Sequence, residues 1–272
     1  MSGHLSINNA GKIYDPGGQN VIAMQKITLD IQPKIFCAVV GPSGCGKTTL
    51  LNTIAGFDSL TSGTIELDQK VIASNRIQKK SGPDRLVVFQ NGALFPWRTV
   101  LWNVSCGPIQ QGLMTARESQ ERSIELLSDV GLVGIEDVYP GQLSGGQKRR
   151  VEIVRALINN PKVLLMDEPF RALDALNKSV TQKFLLDIYT KSPKTVFFIT
   201  HDLEEAIFLA DIVVVMSTRP GTIKRIVSTN LPRPRDHKIL LSQDFTRLKL
   251  ELVDVISEEA SKAFQTGEKE SA

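Results

Sequence analysis

The sequence predicts an α/β fold built on a parallel sheet, with an antiparallel β layer and a helical subdomain. Three observations carry this expectation. The continuous apolar run Ile35-Phe36-Cys37-Ala38-Val39-Val40 suits a strand buried on both faces, and a glycine-rich loop and a helix follow it directly. Two further short apolar runs, Lys162–Met166 and Thr195–Thr200, end in polar residues, as strands of a parallel sheet do when their C-terminal edges carry chemistry. Between about 91 and 160 the apolar spacing becomes helical, which marks an inserted helical subdomain.

In chain order, residues 5–40 and 63–74 carry alternating or short apolar runs, Ile65 and Leu67 among them, and read as a β-rich layer. Thr48 to Ala55 places Leu50, Leu51 and Ile54 on one helical face and stops at Gly56, a good residue just past a helix end. Arg85–Phe89 is a short strand delivering Gln90. Ile124, Leu126, Leu127 and Val130 recur at helical spacing before Gly131. Ser144 begins another helix, with Gln147 as its capping-box partner, and that helix stops at Asn159-Asn160-Pro161. Residues 212–227 read as a hairpin around Pro220-Gly221, followed by the proline-rich link Leu231-Pro-Arg-Pro-Arg-Asp236. Residues 243–264 form an amphipathic helix with Phe245, Leu248, Leu252, Val253 and Ile256 apolar, and the last six residues are expected to fray. The division is therefore a main domain over 1–236, with the helical subdomain at about 91–160, and a C-terminal helical extension over 237–272.

A chain of 272 residues has room for one large α/β domain with a subdomain. Lys and Arg total 32 against 29 Asp and Glu, a net charge of +3 that makes no electrostatic case for nucleic acid. The three cysteines Cys37, Cys45 and Cys106 lack metal spacing, so a reducing compartment is expected. Apolar runs such as Ile212–Met216 are far too short to cross a bilayer, and the first residues lack a secretory pattern. The expectation is a soluble cytosolic chain that reaches a membrane only through a partner.

The sharpest motif is Gly41-Pro-Ser-Gly-Cys-Gly-Lys-Thr48, a full match to the phosphate-loop pattern G-x-x-x-x-G-K-[ST] in its strand–loop–helix context. Gly41, Gly44 and Gly46 let backbone N–H groups close around phosphate oxygens, and the helix N-terminus adds a favourable dipole. The wrap extends over Ser43, Cys45 and Thr49. Lys47 can reach the β/γ-phosphates and the Thr48 hydroxyl can ligate Mg²⁺, so the chain is expected to bind a nucleoside triphosphate. Val163-Leu-Leu-Met-Asp167-Glu168 delivers two carboxylates to a strand end. Asp167 is placed to organise the Mg²⁺ shell and Glu168 to orient or deprotonate an attacking water. Leu143-Ser144-Gly145-Gly146-Gln147 is a helix cap whose two glycines also suit a γ-phosphate clamp.

With the phosphate loop upstream and the Asp-Glu pair downstream, that string makes the chain resemble the ATPase subunits of ABC transporters over roughly residues 5 to 230. The resemblance implies a P-loop NTPase core that binds ATP and Mg²⁺ in a head-to-tail dimer. In it, Gly41–Thr48 of one subunit faces Ser144, Gly145, Gly146 and Gln147 of the other. It implies that Gln90 senses Mg²⁺ and water, that His201 contacts the γ-phosphate, that Tyr14 stacks on adenine, and that Ala172-Leu173-Asp174 crosses the dimer. Phe95–Val100, Ser217–Gly221 and Leu231–Asp236 are similar to segments of importers of nitrate, sulfonate, taurine and related compounds. The partners so implied are an integral-membrane permease, a second ATPase subunit and, indirectly, a periplasmic solute-binding protein. The location implied is the cytoplasmic face of the inner membrane, and no nucleic acid is expected. Asn91–Asn103, with Trp97 and Trp102, is the candidate docking surface. Two positions depart from the pattern: Phe170-Arg171 stands where a small residue is usual, and Pro33-Lys34 where Gly-Glu is common. The alternatives are a soluble ABC ATPase acting on nucleic acid or ribosomes, which usually has paired cassettes, a coiled coil or a basic extension, and a nucleotide-dependent scaffold.

Overall fold

Ten strands and seven α-helices make up the computed structural model, which describes residues 3–265. In order they are β1 (Leu5–Tyr14), β2 (Val21–Ile31), β3 (Phe36–Val40), α1 (Lys47–Ala55), β4 (Ser62–Leu67), β5 (Lys70–Ser74) and β6 (Arg85–Val88). The helical subdomain follows as α2 (Val100–Gln110), α3 (Ala116–Asp129) and α4 (Gly145–Leu157). The chain then runs through β7 (Val163–Asp167), α5 (Ala175–Lys191), β8 (Thr195–Ile199), α6 (Leu203–Leu209), β9 (Ile212–Met216), β10 (Ile223–Ser228) and α7 (Gln243–Gln265).

The larger sheet has the order β10-β9-β3-β8-β7-β6 and is parallel except for the β9–β10 hairpin. The smaller sheet, β2-β1-β4-β5, is antiparallel. Between the two sheets lies one apolar core, to which α1 contributes Leu50, Leu51 and Ile54; the other face of the larger sheet is covered by helices. The alternation of β3 makes this concrete. Cys37 and Val39 point into the core shared with the β layer, and Phe36, Ala38 and Val40 into the helical core, which is why the run is apolar without interruption. β3 sits between β8 and β9, so the loop leaving its C-terminal end is at the middle of the sheet edge, where ligands of such sheets bind.

Three parts of the chain differ from the sequence expectation. α5 and α6 were not anticipated: α5 buries Phe184, Leu185, Leu186 and Tyr189 but exposes Leu176 and Val180, so its apolar residues do not fall on a single face. Ile124, expected on the apolar face of α3, is exposed, and α3 reaches the core chiefly through Leu127. The proline-rich segment is not a loose link. Arg235 is buried and donates to the carbonyls of Ile207, Phe208 and Ala210, capping the end of α6, while Arg233 pairs with Asp211 at 2.7 Å. Beyond it, Phe245, Leu248 and Leu252 of α7 join the helical core. The six C-terminal residues expected to fray lie outside the described residues. Among the described residues no helix is long and apolar enough to cross a membrane.

Candidate active site

A cavity of about 290 Å³ opens at the C-terminal end of β3, between the phosphate loop and the β layer. Of the residues singled out in the sequence, Tyr14, Ser43, Gly44 and Gly46 line it, together with Lys47, Thr48, Thr49 and Glu168. The loop geometry needs glycine at Gly46, the N-cap of α1: its φ is +91°, and a Cβ there would stand 2.8 Å from the Ala23 carbonyl oxygen. The Lys47 ammonium donates to the carbonyls of Gly41 and Pro42 at 2.8 and 2.9 Å, which holds it along the inside of the loop. Cys45 points away and is buried. Its thiol is pushed up by burial, against the opposing effect of Lys47, whose Nζ lies 3.5 Å from the sulfur.

At the β-layer end of the cavity, Tyr14 donates to Asp58 Oδ2 at 2.5 Å, and Lys12 Nζ lies over its ring, 4.9 Å from the centroid. Burial, together with the Asp58 hydrogen bond, holds the phenol above its ordinary range. At the sheet end, the Thr48 hydroxyl donates to Asp167 Oδ2 at 3.2 Å. Burial pushes the Asp167 carboxyl up; the Thr48 bond works against this, and the neighbouring Glu168 charge adds to it. Among the described residues no group of three or more His, Cys, Asp or Glu is arranged to hold a metal. The hard oxygens of Thr48 and Asp167 suit Mg²⁺, which takes few protein ligands and completes its shell with phosphate and water.

Glu168 turns out of β7 with φ +41°, a left-handed conformation uncommon for this residue type, and its N–H is fixed by the Ile199 carbonyl of β8 at 2.9 Å. Its Oε2 lies 3.2 Å from His201 Nδ1 and 3.4 Å from an Arg171 NH1. Glu168 also borders a second, smaller cavity with His201, Arg171 and Lys178. Lys178, which drew no attention in the sequence, pairs with Asp202 at 2.7 Å and Glu205 at 3.2 Å behind the histidine.

Gln90, Asp174 and Ser144–Gln147 do not line this cavity. The backbone of Gln90 is held by α4, whose Arg149 donates to its carbonyl at 2.7 Å. Ser144 caps α4 reciprocally: its hydroxyl accepts from Gln147 N–H at 3.2 Å and its own N–H donates to Gln147 Oε1 at 2.9 Å. Gly146 packs against Asn177, so a Cβ there would come 2.7 Å from Asn177 Oδ1, and Asn177 is in turn bonded by the exposed Asp174, the N-cap of α5. The Ser144 turn and the Asp174 turn are thus joined on one outer face. Trp97 and Trp102 are exposed and pack against Phe95, the first tilted and the second edge-on, and the Arg98 guanidinium lies over Trp102. Arg219 lines the main cavity and went unremarked as a site residue; the only sequence signal was its place in the Ser217–Gly221 segment.

The family model for ABC transporters matches residues 24–171. A taurine import ATP-binding protein of Rhizobium johnstonii is 47% identical over 76% of each chain. A nitrate import ATP-binding protein of a Synechocystis species is 40% identical over 93% of this chain and 95% of that one. A solved dimeric ATP-binding cassette, in a post-hydrolysis state with ADP and Pi bound, superposes with a TM-score of 0.71 at 31% identity. It covers 82% of this chain and 98% of its own. Taken with a phosphate loop on the central strand and the Asp-Glu pair beside it, these likenesses establish that the chain belongs to the ABC transporter family, as an ATP-binding subunit.

Proposed function

We propose that the chain hydrolyses ATP in a head-to-tail pair of subunits and so drives a membrane permease that imports nitrate, a sulfonate, taurine or a related small solute. The observation that supports this most is the position of Glu168, bordering the phosphate-loop cavity on one side and paired with His201 on the other. A carboxylate held there by a strained backbone is suited to take the proton of the water attacking the γ-phosphate, a role worth roughly 10²–10⁴-fold in rate. His201 holds that carboxylate in place and faces the terminal phosphate.

In this reading Tyr14 stacks on adenine and the N–H groups of Ser43 to Thr49 cradle the phosphates, with Lys47 at the β/γ oxygens. Thr48, Gln90 and Asp167 would hold Mg²⁺, which would neutralise phosphate charge when bound. Ser144, Gly145, Gly146 and Gln147 complete the partner subunit's site, because they lie outside this subunit's own cavity. Asp174 braces the crossing. ATP is then shared between two subunits and its hydrolysis releases them, so the chemistry is mainly positioning and electrostatics. The pair docks beneath the permease at the cytoplasmic face of the membrane through Asn91–Asn103, where Trp97 and Trp102 are exposed beside Phe95. The nitrate and taurine relatives support the solute class, and a periplasmic binding protein supplies the solute indirectly.

Affinity purification from gently detergent-solubilised cells tests the assignment. Recovery of an integral permease with the chain is the expected result. Recovery of ribosomes or DNA-associated proteins, with no permease, would overturn the transport role.

A further inference from the structure

The turn between β9 and β10 lies against the back of the phosphate loop. Gly221 is buried there, and a Cβ on it would stand 2.0 Å from the Cys45 carbonyl oxygen. Gln25 N–H donates to the Gly221 carbonyl at 2.8 Å and Gly221 N–H to Ala23 at 3.2 Å, so the turn is also stitched to β2. Arg219, two residues earlier, donates through Nε to the Gly44 carbonyl at 3.1 Å and lines the same cavity as Ser43, Lys47 and Thr48. Among the described residues it pairs with no carboxylate. Glu168, the one acid among the described residues lining the cavity, is engaged by Arg171 and His201. A guanidinium has five donors in a planar fork, and one bond to Gly44 leaves its terminal amino groups to face a polyanion.

The turn is fastened from the other side by α7. Thr218 N–H donates to Glu259 Oε2 at 3.1 Å. The Glu259 side chain is 3% exposed, and Lys224 and Lys262 lie 3.4 and 3.0 Å from its Oε1. A buried carboxylate on the C-terminal helix therefore fixes the residue adjoining Arg219.

We propose that Arg219 is a second phosphate-binding cation of the nucleotide site, beside Lys47, and that Glu259 of α7 positions it through Thr218. This rests on the reading of the Gly41–Thr48 cavity as a nucleotide site. The C-terminal helix then contributes to nucleotide affinity although it lies far from the cavity in sequence.

The test is calorimetric titration of the whole chain with Mg-ATP and Mg-ADP at several salt concentrations. Arg219→Gln keeps a donor for Gly44 but removes the charge. It is expected to weaken both nucleotides about tenfold and to flatten the salt dependence, with Arg219→Lys recovering most of the loss. Glu259→Gln is expected to weaken them about threefold in the parent and to have no further effect in Arg219→Gln. Parental affinity and salt dependence in Arg219→Gln would reduce Arg219 to a cap on the loop and overturn the proposal. A loss from Glu259→Gln that repeats in full in Arg219→Gln would overturn the positioning role. Lys47→Ala is the control: if it binds ATP normally, the nucleotide-site reading fails, independently of Arg219.

Discussion

Arg171 holds the carboxylate of Glu168 at 3.4 Å, on the same Oε2 that His201 approaches at 3.2 Å. The arginine stands three residues past the glutamate and is itself well exposed. Its neighbour Phe170 takes no part, being buried against Phe198. With its arginine end in solvent the pair is worth about 0–1 kcal/mol, enough to tilt a side-chain orientation but not the fold. Arg171→Ala is therefore expected to raise kcat by up to about fivefold, with KM unchanged and the melting temperature within about 1 °C. A steady-state ATPase assay beside a thermal melt checks this; a fall in kcat would make Arg171 a helper of the base.

Glu168→Gln is expected to keep ATP binding and lose roughly 10²–10⁴-fold in turnover. Single-turnover hydrolysis with ATP in separate binding and rate measurements resolves the two effects. Normal turnover would remove Glu168 from the proton-transfer step.

Burial holds Asp167 above the usual carboxylate range, so the folded chain binds that proton more readily than the unfolded one. Its ionisation therefore opposes folding as pH rises through and beyond the carboxylate range, and that cost persists at neutral pH without a cation. Asp167→Asn, which keeps an acceptor for Thr48, is expected to raise the metal-free melting temperature at pH 7. The gain should shrink as pH is lowered, and Mg²⁺ stimulation of nucleotide affinity should disappear. Melts over pH 4–8, with and without Mg²⁺, measure both effects.

Ser144→Arg places a long cation in the cap turn and is expected to abolish ATP-dependent pairing of Glu168→Gln subunits. Ser144→Ala should only cost about 1 kcal/mol of α4 stability. Sedimentation with ATP distinguishes them, and unchanged pairing in Ser144→Arg would count against a shared site.

Arg149 and Glu152 form a 2.8 Å pair with both side chains nearly inaccessible. Arg149→Ala deprives a buried carboxylate of its ion-pair partner and should destabilise the chain by about 3 kcal/mol in urea unfolding, whereas replacing both by Met should be far milder.

The motif residues were legible because each is a local statement: glycines in a loop, a cap with its partner three residues on, carboxylates at the end of an apolar run. The central strand was legible for the same reason, since burial on both faces leaves an unbroken apolar string at β3. Contacts made across long separations were not. Nothing near Arg235 in sequence signals that it caps α6, and nothing near Arg219 signals Gly44, 175 residues away. α5 escaped because the apolar residues it buries sit in its C-terminal half while Leu176 and Val180 near its start face outward, a distribution that mimics no simple period. The placement of Ser144–Gln147 outside this subunit's cavity follows from geometry between elements, which only the fold supplies.

The Arg149 fork has a mechanical consequence. One amino group holds the Phe89 carbonyl at 2.6 Å and the other that of Gln90 at 2.7 Å, while Glu152 accepts from Ala93 N–H at 2.9 Å. The loop leaving β6 is thereby bolted to the middle of α4, a rod about 20 Å long whose first turn carries Ser144 and Gly145. A displacement of that loop is therefore passed directly to α4 and, along it, to the turn that carries Ser144.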